Sequence, residues 1–432
     1  MPVDLSESAP VWCAQPYIAS RMHFYRQNPI RRLVAFFCLV ALALPAAKLH
    51  AAMPQAKASQ ITPDEQQGID RDIADHEGDA PAHPGPKARL SGALKRAEVQ
   101  AAMHKVAGWE LTAARPFFDR TWTWSTLYAG FMAASPALED VRYREAMETM
   151  ASKFDWQLRS EHPNADDQSV GQTYLELYLL NLAPKKIAPT QAALDSLLAG
   201  AEAPIPEGQA HIPWWWCDAL FMAPPVWSRM FAATHETKYL DYLDRHWWET
   251  SHLLYDPQHH LYFRDVTWLH KNDEHGNPIF WSRGNGWVMA GIARTLEYMP
   301  RVYPDRARFE EQLREMAAAI RPLQDRRSGL WHSSLLDAED YRQPETSGSA
   351  LMTFALAWGV NQGVLNRKTY MPVIARAWRG LVEQIYADGR LGNIQQTGAG
   401  PAHYLPSSSF NYGVGAFLLA GAQVEQLSAQ GH

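Results

Sequence analysis

From residue 93 to residue 426 apolar side chains recur every three to four positions, and no stretch alternates apolar and polar residues as a strand would. That period predicts helices near 93–108, 121–135, 140–157, 168–182, 190–200, 224–234, 236–251, 284–298, 305–323, 347–361, 367–386 and 410–426. Ser135-Pro136, Pro184, Pro322, Gly363, Gly389 and Pro406 punctuate them. Twelve helices can build a solenoid, two bundles, or six hairpins closed into a toroid. A solenoid calls for a fixed-period repeat, whereas here the pair spacing varies and the 252–283 connection is long. An all-α (α/α)6 barrel over 91–432 fits better, because closure requires no sequence identity between hairpins. It also gathers the loops of one end around a single funnel.

The chain ahead of that pattern has a different character. Arg31-Arg32 followed by the apolar run 33–47 has the make-up of a secretory signal, too short and too abruptly ended by Pro45 and Lys48 to span a bilayer comfortably. We therefore expect residues 1–52 to be a signal peptide with an over-extended start, Ala51-Ala52 being the better cleavage site. Residues 53–90, rich in Gln, Asp, Pro and Gly and devoid of aromatics, read as a flexible linker. Cys13 and Cys38 fall in the leader, so Cys217 has no disulfide partner, and no CxxC pair serves zinc or redox chemistry. The expectation is a soluble periplasmic or secreted protein, not held at the membrane once the signal is cleaved.

Charge removes one class of function. Lys and Arg total 40 against 46 Asp and Glu, and loss of 1–52 leaves a net charge of −9. A nucleic-acid binder is normally basic, so nucleic acid is not expected as a partner. The 17 Trp instead raise carbohydrate, since indoles offer flat faces for sugar rings.

Five segments at predicted helix starts mix aromatics, polar or charged side chains and small residues: 120–130, 164–174, 211–225, 280–291 and 344–359. Together they read as the rim of one pocket. Asp218 stands between Trp214-Trp215-Trp216-Cys217 and Ala219-Leu220-Phe221-Met222. It is either satisfied by helix-start amides or held in a low-dielectric cavity, where desolvation raises its pKa and suits it to act as a general acid. Trp215 is a candidate sugar contact beside it. One of Asp166 and Asp167 can cap the helix that follows while the other reaches the pocket. Arg283 and Trp287 flank Gly284-Asn285-Gly286, an arrangement able to fork onto a carboxylate and stack on a ring. Trp122, Trp124 and Tyr128 can floor a sugar site or belong to the core. His259-His260, His270 and His275 show no defensible metal spacing, and neither HExxH nor a GxSxG elbow is present.

The segments DDQSVGQTYLELY, WWWCDALFMAPP, FRDVTWLHKNDEHGNPIFWSRGNGWVMAG, PETSGSALMTFALAWGVNQG and YGVGAFLLAG, in this order, resemble the unsaturated rhamnogalacturonyl hydrolases of glycoside hydrolase family 105. The resemblance covers about 95–428 and implies an (α/α)6 barrel, no metal or organic cofactor, and an unsaturated oligosaccharide as substrate. The implied reaction removes a 4,5-unsaturated uronic acid by hydrating its vinyl ether, with pectin-derived rhamnogalacturonan fragments as the first expectation. The sister alternatives are ulvan, glycosaminoglycan or arabinogalactan fragments; a non-catalytic sugar-binding toroid is the third.

On this resemblance Asp218 is the catalytic acid, Arg283 the partner of the uronate carboxylate and Trp287 a wall of the site. Asp166 or Asp167 helps to hold substrate, and Trp124 is the stacking residue of the first rim segment. Two departures bear on specificity. Where characterised relatives place a His, this chain reads LYFRD with Arg264 and Asp265, so Arg264 joins the candidate substrate contacts; and LGNIQ (391–395) replaces the family's LGWVQ.

Overall fold

The computed structural model describes residues 61–201 and 203–429. The expected signal peptide and residues 53–60 lie outside the described residues. The helices are α1 (Pro63–Ala74), α2 (Arg96–Ala114), α3 (Trp122–Ala137), α4 (Val141–Lys153), α5 (Ala165–Gln168), α6 (Gly171–Leu180), α7 (Pro184–Leu198), α8 (Ala219–Met222), α9 (Pro224–Thr234), α10 (Lys238–Leu254), α11 (Ser282–Leu296), α12 (Arg306–Ile320), α13 (Thr346–Asn361), α14 (Arg367–Val382) and α15 (Asn411–Ala429).

Six of them form an inner ring. α3 packs on α6, α6 on α9, α9 on α11, α11 on α13, α13 on α15, and α15 returns to α3. α4, α7, α10, α12 and α14 each run back along the outside of the inner helix they follow, and α2 covers α15. The molecule is an (α/α)6 toroid, as the helical period and the loop spacing suggested.

The two rings differ in sequence for a physical reason. An inner helix has neighbours on every side, so all of α11 from Ser282 to Leu296 is buried. An outer helix buries one stripe: on α12 the buried positions fall at Arg306, Phe309, Gln312, Leu313, Met316, Ala317 and Ile320. Inner helices also approach one another closely. A Cβ added to Gly415 would stand 2.2 Å from the Thr126 carbonyl oxygen, and one on Gly130 would stand 2.6 Å from that of Gly415. Neither backbone can yield, so α3 and α15 touch because both positions lack a side chain.

At one end of the ring the starts of the inner helices converge. The Trp122 ring at the head of α3 lies 5.1 Å from Tyr412 at the head of α15 and 5.9 Å from Trp287 on the first turns of α11. The Gly348 position on α13 abuts the Arg283 amide. Elsewhere, buried Arg229 and Arg294 share Glu176 at 2.6 and 2.7 Å, tying α9 and α11 to α6. Burial disfavours charge on Glu176, yet the two guanidinium groups hold it below the usual carboxylate range.

Residues 61–90 are not a flexible linker. Thr62 and Glu65 form a reciprocal capping box that starts α1, with Pro63 in the first turn. Ile69 and Asp72 are buried, and Gly78 and Asp79 pair antiparallel with Phe410 and Ser409. Low aromatic content suggested disorder because it promises little apolar burial. The segment is held instead by hydrogen bonds to the toroid, which composition does not register.

Candidate active site

Asp218 is the residue before α8, but its side chain caps nothing: no amide of that helix donates to it. Its Oδ2 faces the Cys217 thiol at 3.5 Å and Arg264 Nε at 3.7 Å, and the side chain is 13% exposed. Burial pushes the carboxyl above the ordinary carboxylate range, while Arg264 and Arg283 pull it back. Burial also pushes the Cys217 thiol well up, so it stays protonated beside the carboxylate. Of the two roles open to Asp218 in the sequence, the pocket acid is the one this geometry supports.

Asp166 and Asp167 separate clearly. Asn164, not either aspartate, caps α5 by accepting from the Asp167 amide at 2.9 Å. Asp167 is buried and bound to Arg159 at 3.1 Å. The half-buried Asp166 carboxyl accepts no hydrogen bond among the described residues. Burial, followed by the charges of Asp218 and Asp167, raises it to about 7. Asp166 therefore lies within electrostatic reach of Asp218, while Asp167 is committed to Arg159.

Arg264 reaches the site through main-chain pairing. Cys217 N donates to Arg264 O at 2.8 Å, and Trp216 and Asp265 form an antiparallel bridge. Arg264 Nη1 donates to Asp265 Oδ2 at 2.6 Å, and Asp265 Oδ1 is held by the Thr267 amide and hydroxyl. The guanidinium lies over the half-buried Trp215 ring at 5.4 Å. Nη1 is thus committed to Asp265, while Nε has no hydrogen-bond partner.

The start of α11 ties the 395–396 segment, the strand at Tyr262 and the 211–225 and 120–130 rim segments together. Arg283, 0% exposed, donates Nη1 to Gln395 O at 2.7 Å and Nη2 to Gln396 O at 2.8 Å, and stacks over Trp281 and Tyr412. A Cβ on Gly284 would stand 3.0 Å from Cys217 Sγ. Asn285 accepts from Tyr262 N at 2.7 Å and donates to Tyr262 O at 3.1 Å, so it fixes the strand that leads to Arg264. Trp287 is buried, 4.6 Å from Phe221 and edge-on to Trp122.

Three expectations need correction. Arg283 is not presented to a ligand carboxylate: both of its terminal nitrogens are consumed by carbonyls. Trp287 is a buried support rather than an open wall. Trp124 is 2% exposed and packs edge-on against Phe118 at 6.0 Å, so it belongs to the core, and the half-buried indole at the head of α3 is Trp122. Two positions of one helix face different ways, and the period alone did not say which faces the funnel. The loop histidines also find partners: His259 faces Asp256, His260 faces Tyr255 and Glu315, and His275 sits with Asp337 and Asp340.

A largely buried acid, a second carboxyl near it, a partly exposed guanidinium and two half-buried indoles, in the mouth of a six-hairpin toroid, define a carbohydrate-active site of the glycoside hydrolase class. Residues 93–428 match the description of glycosyl hydrolase family 88. The chain belongs to that family and is a glycoside hydrolase; its motifs resemble those of glycoside hydrolase family 105.

It is 38% identical over 352 residues, 77% of this chain and 92% of the relative, to an unsaturated 3S-rhamnoglycuronyl hydrolase of Formosa agariphila. Among solved structures, a family 88 glycosyl hydrolase from Bacteroides vulgatus superposes with a TM-score of 0.70 at 28% identity, covering 77% of this chain and 99% of that one. A protein described as the polysaccharide lyase BACCELL_00875 gives a TM-score of 0.72 at 30% identity, with 78% and 99% covered.

Proposed function

We propose that the enzyme removes a 4,5-unsaturated uronate from the non-reducing end of an oligosaccharide by hydrating its vinyl ether, with Asp218 as the acid. Asp218 gives its proton to C4, leaving an oxocarbenium at C5. Water adds at C5 and returns a proton to the Asp218 carboxylate. The resulting hemiketal opens and releases the aglycone. One carboxyl suffices, unlike the paired carboxylates of ordinary glycosidases. The observation that carries this reading is that Asp218, its side chain 13% exposed, does not cap its helix, so its proton is available to a ligand.

Arg264 is the partner we assign to the uronate carboxylate, because it is the guanidinium beside Asp218 that stays partly exposed, at 20%, whereas Arg283 is fully buried. Anion binding there has a second effect. It cancels the cation's pull on Asp218, raising the acid's pKa once substrate arrives. Asp166 is placed to take a hydroxyl of the ring or the incoming water, and Trp122 and Trp215 to stack on sugar faces.

For the aglycone, the likeness to the Formosa agariphila enzyme supports a uronate joined to rhamnose, of ulvan type as readily as pectin type. Export also belongs to this reading, supported by Arg31-Arg32 and the apolar run 33–47; sequencing the mature N-terminus tests it.

The deciding experiment follows the ultraviolet band of the conjugated uronate with ulvan, rhamnogalacturonan and glucuronan lyase products. Its loss is expected. A gain would mean a lyase, and no change a sugar-binding toroid.

A further inference from the structure

Residues 61–90 precede the stretch that matches the family, yet they are fastened to the mouth of the toroid. Glu65 Oε1 accepts from the His403 amide at 2.6 Å. The Glu77 carboxylate accepts from the Thr123 hydroxyl at 2.8 Å, and its carbonyl accepts from the Asn411 amide at 2.8 Å. Between these two points Asp72, wholly buried, accepts from both the amide and the hydroxyl of Thr397 at 2.7 Å.

The Asp72 clamp bears on the chemistry because of what the strand before Thr397 holds. The carbonyls of Gln395 and Gln396 take both terminal nitrogens of Arg283. The Tyr412 hydroxyl donates to the same Gln395 carbonyl, and the Gln395 side chain accepts from Trp281 Nε1 at 3.1 Å. This strand is therefore the seat of Arg283, whose charge acts on Asp218, and Asp72 grips its end.

We propose that Asp72 is a positioning residue for the hydration reaction, gripping Thr397 so that the 395–396 carbonyls keep the Arg283 guanidinium beside Asp218. The inference rests on Asp218 being the acid. Arg71, Arg283 and Glu77 face Asp72; Arg264, Arg283, Cys217 and Asp166 face Asp218. The sign of the effect separates position from charge. Deleting a negative charge would, by itself, lower the pKa of a nearby carboxyl, whereas letting Arg283 drift from Asp218 raises it.

The test uses the full chain with Asp72→Ala, Asp72→Asn and Thr397→Val, and records kcat/KM against pH on a lyase product. For Asp72→Ala we expect a loss on the order of 10- to 100-fold, the scale of a small misplacement at a site, with the alkaline limb moved to higher pH. Asp72→Asn keeps one acceptor oxygen for the Thr397 amide and restores most of the rate. Thr397→Val, which loses only the hydroxyl, moves the limb in the same direction by less, and it carries the test should Asp72→Ala not fold. An alkaline limb that stays put, or moves to lower pH, in folded variants overturns the proposal. A wild-type enzyme that leaves the ultraviolet band untouched would instead overturn the assignment of the reaction.

Discussion

Arg264 Nε lies 3.7 Å from Asp218 Oδ2, an ion pair, and has no hydrogen-bond partner among the described residues. On the proposed reading, that pairing puts the substrate's cation on the segment after the Leu261–Tyr262 strand rather than on the GNG residues. It also makes the acid's proton affinity depend on whether an anion is bound. Asn285 secures it from below by fixing the backbone of Tyr262, two residues ahead of Arg264.

Replacing Asp218 by Asn removes the proton donor and keeps the shape. Turnover is expected to fall by roughly 10²–10⁴-fold, the usual contribution of a general acid, while oligosaccharide binding by calorimetry persists. Rates like those of the wild type would refute the assignment.

Arg264→Ala and Arg283→Ala should fail in different ways. The former loses one charge-assisted contact with the substrate, worth about 1.5–3 kcal/mol, so KM rises roughly 10- to 100-fold, beside a loss of stability from the buried Asp265 Oδ2 left without its partner. The latter leaves the Gln396 carbonyl unpaired, Tyr412 still donating to that of Gln395, at a cost of about 1–3 kcal/mol, so it appears first as a lower melting temperature. Equal effects on KM would show that both guanidinium groups meet the ligand.

An acid must carry its proton, so activity falls as pH rises through its pKa. In the free enzyme Arg264 and Arg283 hold the Asp218 pKa down against burial; in the complex the uronate offsets Arg264. The alkaline limb of kcat, which reports the complex, should therefore lie at higher pH than that of kcat/KM, which reports the free enzyme. Coincident limbs would show that Arg264 does not meet the carboxylate.

Trp124→Ala and Trp122→Ala provide a matched pair. Emptying the buried Trp124 site should cost about 3–5 kcal/mol of stability and leave KM of the folded enzyme near normal. Trp122→Ala should cost less stability and raise KM. The reverse pattern would return Trp124 to the substrate.

The toroid was legible because a 3.6-residue period and its punctuation are local properties. So were the rim segments, since an inner helix must begin beside the funnel, and the motif around Asp218. α1 was missed: the Thr62-Pro63-Asp64-Glu65 capping signature stands in the sequence, but the surrounding composition read as a linker.

Other assignments depended on direction, which the chain order does not encode. Asp166 and Asp167 are neighbours, yet one faces Asp218 and the other Arg159. Trp122 and Trp124 share a helix start, yet only the first is half exposed. Arg283 looked like the anion's partner until the carbonyls of Gln395 and Gln396, more than a hundred residues away, were found to occupy it.

From the sequence alone came the helices, their closure into six hairpins and the residue types of a proton-transfer site, because period, capping and motif are written in short stretches. Only the tertiary structure decided which aspartate, which arginine and which indole face the funnel. Those choices rest on hydrogen bonds and contacts between distant segments, and a carboxylate or guanidinium is free for a ligand only where such partners leave it unsatisfied.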